Sequence, residues 1–304
     1  MVTLAGIAPE SILLAGAGRA ILLQIAHPAI GYGVARHSDF ANRPMDRLHG
    51  TLTYIYALSN GTPDDVAAVR RAVNRAHAPV SNPVRGSAHR AHRAHGVGPG
   101  DDAAPASDSP RERSPHAADA GEGHRSAGES GDPRYDAFDP QLQLWVAATL
   151  YDTAVLVYER VFGPLGDEEA ERVYREYAVL GTALQMPAEL WPADRAAFRR
   201  YWDETVAGLR VDDTIRGVAA ALLKAEKAPL PIRAGMPLAR FATVALLPDT
   251  VRAQFGYPWS VVRQRRFDRL LAAIGAVYRV LPPRIRHWPQ RHYLARLRRS
   301  RPRP

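Results

Sequence analysis

The side chains best placed for chemistry lie in the first 80 residues. Arg47 and Thr51 are four apart, so on a helix they share a face, which Tyr54 and Leu58 continue. A guanidinium and a hydroxyl converging on one spot suit an anion, a propionate or a bound oxygen species. They equally make a capping and packing pair, and spacing does not choose between the two. His77 ends a stretch in which Val66, Val69, Val73 and His77 recur at threes and fours, which puts the imidazole on the apolar face of a helix, pointing inward. An inward histidine is a candidate ligand, although a satisfied core residue is the commoner outcome. His27 and His37 frame a third feature, QIAHPAIGYGVARHSDF over residues 24–40. Pro28 breaks or kinks a helix there, and Gly31-Tyr32-Gly33 allows close backbone approach. Two imidazoles at such a break suit a pocket rim. The alternative is that His27 caps the broken helix and His37-Ser38-Asp39 opens a turn.

The elements that must position these groups read as helices. No stretch sustains the period-two alternation of a strand. A helix over Asp46–Ser59 follows Pro44, and Thr62-Pro63-Asp64-Asp65 supplies a cap, an N1 proline and first-turn acids for Val66–His77. Asp139-Pro140 opens a long helix over 140–162, apolar almost all round and therefore central. Asp167-Glu168-Glu169 opens another, through about residue 185, and further helices fall near 193–207, 212–224, 237–246 and 259–280. The expected fold is all-α. Thr149 and Asp152 lie inside the central helix, and a buried carboxylate needs a partner. An arginine from another helix is the expected one, making a structural ion pair.

The chain of 304 residues has no cysteine, which excludes disulfides, thiolate metal sites and a cysteine nucleophile. From 81 to 133 the apolar periodicity gives way to Gly, Ala, Ser, Pro, Asp, Arg and His. Such a stretch buries too little surface to offset its ordering entropy. It reads as a disordered insertion in a single helical domain made of 1–80 and 134–283. His89, His92 and His95 within it form at most a weak metal site. The net charge of +9 is concentrated in 284–304, a basic tail with eight arginines and no acid. Without it the remainder is nearly neutral, so no specific nucleic-acid partner is expected. A weak contact of the tail with an anionic membrane surface is possible on charge alone. The N-terminus lacks a basic signal-peptide region, and Ile12–Ile25 is short for a membrane span and interrupted by Arg19. A cytoplasmic location is expected.

The order GRAILLQIAHPAIGYGVARHSDF, then Arg47-Leu48 and Thr51, then RAHAPV, then YDAFDPQLQLWVAATLYDTAVLVYERVFGPL, resembles the catalytic domain shared by the latex clearing protein, a rubber oxygenase, and the membrane-bound oxygenase of mycophenolic acid biosynthesis. The resemblance covers about 12–80 and 135–202. It implies a helical, globin-like core holding one haem b through a histidine, with dioxygen and a small apolar, isoprenoid-like substrate. His77-Ala78-Pro79-Val80 fits the context of the family's iron ligand. Arg47 and Thr51 fall on its distal arginine and threonine, and His27 and His37 become candidates for a distal base or a propionate partner. Two positions depart from the pattern. Gly50 stands where the rubber-cleaving enzymes can place a lysine, with His49 the nearest nitrogen, and Ala147 stands where many relatives carry histidine. Two rivals to a haem oxygenase stand beside this reading, a haem-binding sensor or carrier and a haem-free helical binding protein, and the two departures favour the second of these.

Overall fold

A computed structural model describes residues 1–36, 44–80, 135–226 and 228–300. Among these residues there is no β-strand, and the protein is all-α. The insertion read at 81–133, with its three histidines, lies outside the described residues.

The longest helix, α6 (Pro140–Phe162), is the axis of the fold. Asp139 caps it by accepting a hydrogen bond from the Gln141 N–H at 2.8 Å, and Pro140 occupies N1, where no N–H is needed. Gly163 ends it at φ 96°, a left-handed conformation that favours glycine. Around α6 pack a 3-10 segment (Ser11–Gly16), α2 (Ala17–Ala26), α7 (Asp167–Tyr177), α8 (Val179–Thr182) and α13 (Val261–Val280). Trp145, fully buried, donates its indole N–H to the Leu23 carbonyl at 3.1 Å and so pins α6 to α2. A seam of rings lies on another side of α6, where Tyr151 meets Tyr174, Tyr177 and Phe198 with centroids 4.9–5.3 Å apart, all edge-on. A smaller core near the end of α6 joins Val157 and Val161 to Leu246 of α11 (Leu230–Leu246) and to Phe267 and Leu271 of α13.

The largely buried Asp152 has the partner its position demands. Arg19 of α2 reaches it at 2.6 Å, bonds the Thr153 hydroxyl at 2.5 Å and the Leu246 carbonyl at 2.8 Å, and stacks over Trp202. One guanidinium thus ties α2, α6 and α11 together. Thr149, also buried, accepts from the Gln24 amide at 3.0 Å.

α3 (Pro28–Arg36) packs on α2 and on α10 (Asp213–Lys224). Gly31 makes this possible, since a Cβ there would overlap the Ile25 carbonyl oxygen and meet Ile215 at 2.9 Å. A backbone oxygen cannot move aside cheaply. Gly31→Ala is therefore expected to lower stability by about 1–3 kcal/mol, despite alanine's better helix propensity, and thermal unfolding of the variant checks this.

The segment read as a basic tail, 284–304, is instead folded as far as Arg299. α14 (Pro283–Arg286) and α15 (Trp288–Arg299) lie against α4 (Pro44–Asn60) and the N-terminal segment. Arginines look solvated in sequence, but here two have buried acids to meet. Arg298 reaches Asp65 at 2.9 Å, and Arg286 and His287 reach the buried Glu10 at 3.2 and 3.0 Å. Tyr278 donates to the same carboxylate at 2.8 Å. The helix expected through 185 likewise ends early, at Tyr177, followed by the short α8. α12 (Asp249–Gln254) is too short to show a period in sequence.

Candidate functional site

The break after Ala26 is a sharp corner. α2 and α3 meet at 98°, because Pro28 has no N–H to continue the ladder of α2 and starts α3 instead. The Ala26 carbonyl freed by the break accepts from the Arg210 N–H at 3.2 Å. His27 occupies the corner as the C-cap residue of α2, but only its backbone N–H caps, bonding to Gln24. Its ring Nδ1 is buried and has no hydrogen-bond partner. Burial lowers its pKa, opposed by the nearby Asp139. The ring is thus neutral at neutral pH and not spent on capping. His37 lies outside the described residues.

The helices carrying Arg47, Thr51 and His77 form an antiparallel pair, α4 and α5 (Pro63–His77). A reciprocal capping box sets the start of α5, with the Asp65 N–H bonding the Thr62 hydroxyl and the Thr62 N–H bonding the Asp65 carboxylate. Fifteen residues later the helix ends on His77, which brings this side chain back alongside the start of α4. The His77 ring is edge-on to Phe138 at 6.1 Å, and its Nδ1 is buried without a hydrogen-bond partner. Its pKa is lowered, first by burial and then by the positive charge of Arg47. Arg47 also acts on Tyr135, whose phenol pKa burial raises and the guanidinium lowers. Tyr135 in turn lies flat against Gly33 of α3, where a Cβ would overlap its ring.

Arg47 and Thr51 also border a cavity. Its empty space is about 960 Å³, part of it open solvent. The walls are aliphatic, with Leu13 and Leu14 from the 3-10 segment, Ile21 from α2, Leu52 and Ile55 from α4 and Leu150 from α6. Two of the polar wall residues are already engaged, Gln24 with Thr149 and Thr153 with Arg19. The Thr51 hydroxyl has no hydrogen-bond partner among the described residues. The Arg47 side chain is exposed to solvent, and its pKa is lowered by desolvation with Tyr135 opposing. A guanidinium so shifted still carries its charge at neutral pH. His77 is not itself a cavity wall. Arg47 is the link, lining the hollow and acting on the imidazole.

An amide chain near His77 was not legible in the sequence. Gln185 donates to Asn74 of α5 at 3.0 Å and accepts from Gln143 of α6 at 2.7 Å, and Gln143 donates to the Ala137 carbonyl at 3.1 Å. This chain fixes the last turn of α5 and the residue preceding Phe138. Its members are 42 and 111 positions apart, so no local pattern could reveal it. His49 faces elsewhere, its ring 5.6 Å from Tyr293 of α15. Ala147 is buried in the core, whereas Gly50 has open space where a side chain would begin.

The sequence profile of the catalytic domain of ER-bound oxygenase mpaB/B' and rubber oxygenase matches residues 6–96 and 110–276. Two curated proteins, the uncharacterized protein Mb2261 of Mycobacterium bovis and the uncharacterized protein Rv2237 of Mycobacterium tuberculosis, are each 34% identical to the chain over 269 residues, covering 87% of it and 88% of the relative. No solved structure matches. Among the described residues no helix is by itself long and apolar enough to cross a membrane.

Proposed function

The chain belongs to the catalytic-domain family of the mpaB/B' and rubber oxygenases, and from that premise we propose that it is a haem b-dependent oxygenase acting with dioxygen on a small apolar, isoprenoid-like substrate. The observation that carries this reading is the position of Arg47 between an aliphatic cavity and the half-buried, unpartnered imidazole of His77. These residues fit a haem. A neutral imidazole is the ligating form, and burial together with the Arg47 charge favours it. Haem bound there supplies an iron centre for activating dioxygen.

The chain's own residues do the rest. His77 would hold the iron, and the amide chain through Asn74, Gln185 and Gln143 keeps the end of its helix in place. Arg47 and Thr51 offer N–H and O–H donors to a carboxylate of the cofactor or to a polar oxygen in the pocket. His27 can hold or accept a proton at Nδ1, which no protein group occupies. The aliphatic walls orient an apolar substrate by shape.

Haemin titration of the full chain tests the proposal. A Soret band saturating at one haem per chain is expected, followed by oxygen uptake that depends on an added isoprenoid alkene. Absence of stoichiometric haem would leave a haem-free helical binding protein. Saturable haem with a stable oxygen complex, and no uptake across a broad panel of apolar alkenes, would leave a carrier or sensor.

A further inference from the structure

The outward face of α13 is unlike an ordinary solvent face. Opposite the buried Phe267, Leu271 and Tyr278, the helix presents Val262, Arg265, Arg266, Arg269, Val277 and Val280. Val277 and Val280 are 63% and 80% exposed, and the chain then turns into α14 and α15 with Ile285 and Trp288 exposed at 56% and 58%. Trp288 stacks on His292 at 5.0 Å, which holds its ring on the surface. Charge on this part of the chain is one-sided. From residue 258 to the end there are thirteen arginines and one acid, Asp268, and Asp268 is taken by Arg160 of α6 at 3.1 Å. Arg265, Arg266 and Arg269 enter no ion pair among the described residues.

We propose that this face, from α13 to Trp288, docks the protein on an anionic phospholipid surface with α13 lying in the membrane plane. Large aliphatic side chains and a tryptophan left in water gain free energy by entering the headgroup region. Arginine stems are long enough for the guanidinium groups to stay at the level of the lipid phosphates while the valines go deeper. The occupant follows from charge complementarity. A second copy would bring a like-charged face, and a nucleic acid would leave the valines and tryptophan in water. This surface is separate from the cavity, so it stands whether or not the chain is an oxygenase.

The test is sedimentation of the full chain with vesicles of phosphatidylcholine alone or with about a third phosphatidylglycerol, at low and high salt. Binding to the anionic vesicles, weakened by salt, is expected. An arginine near such a surface contributes roughly five-fold in affinity, so R265Q/R266Q/R269Q should lose about a hundred-fold. V277S/V280S/W288A should also weaken binding, at unchanged charge. All six positions are exposed, and circular dichroism should show both variants folded. No vesicle binding, equal binding to neutral vesicles, undiminished binding by the arginine variant, or binding to duplex RNA or DNA in place of vesicles would each overturn the proposal.

Discussion

Replacing His77 by alanine is expected to abolish stoichiometric haem binding, with loss of the Soret band at haemin concentrations that saturate the parent. The imidazole is the sole nitrogen ligand the proposal provides, so its removal should weaken binding by orders of magnitude and not by a small factor. The fold should survive, because the residue is half-buried at a helix end and its Nδ1 makes no hydrogen bond to the protein. Far-ultraviolet circular dichroism should match the parent. Retained haem in the folded variant would exclude His77 and turn attention to His27, His37 and His49. The pH dependence has a definite sign. Burial, then Arg47, holds the folded-state pKa of His77 below its ordinary value. The stability this contributes is fully present above about pH 6.5, the unfolded value, and is lost as pH falls through the folded-state value. Haem should be released in the same acid range, because protonation competes with iron for the ring. Arg47→Met removes a positive charge that lowers the imidazole pKa, so release should shift to higher pH.

Breaking the Arg19–Asp152 pair should produce the largest loss of stability. Arg19→Ala leaves a largely buried carboxylate, the Thr153 hydroxyl and the Leu246 carbonyl without their donor. Removing one member of a buried pair typically costs about 3–5 kcal/mol, a large share of the roughly 5–15 kcal/mol that holds a domain together. A fall in melting temperature of about 10 °C or more is expected. The double variant Arg19→Met/Asp152→Leu should recover most of it, since a well-packed apolar pair avoids the desolvation of two charges. A single variant with unchanged melting temperature would show that the pair contributes nothing to stability.

The sequence and the structure agree best where signals are local. Thr62-Pro63 and Asp139-Pro140 mark helix starts through caps and N1 prolines, and Asp152 announces its need for an arginine because few residues can sit inside an apolar helix with a charge. Arg47 and Thr51 share a face through helical spacing, and both border the cavity. The nearness of Arg47 to His77 depends on the antiparallel return of α5, which a capped helix start and a short connection make legible. What could not be read depends on distant pairs. The amide chain from Asn74 to Gln143 joins three segments, and the run of arginines after 283 gives no sign of Asp65 and Glu10, its partners hundreds of positions away.

Those distant partners have a consequence for the order of events during synthesis. Helix α4 carries Arg47 and Thr51 on one side, while its other side is covered by α15, which is made long after it, through Tyr293 against His49 and Tyr56. Glu10 likewise waits for Arg286 and His287, which follow it only much later in the chain. A nascent chain that does not yet include α15 therefore holds the cavity with one wall unsupported. The wall is complete only once α15 has been made and packed, so a chain lacking α15 would be deficient at a pocket lined mostly by residues far earlier in the sequence.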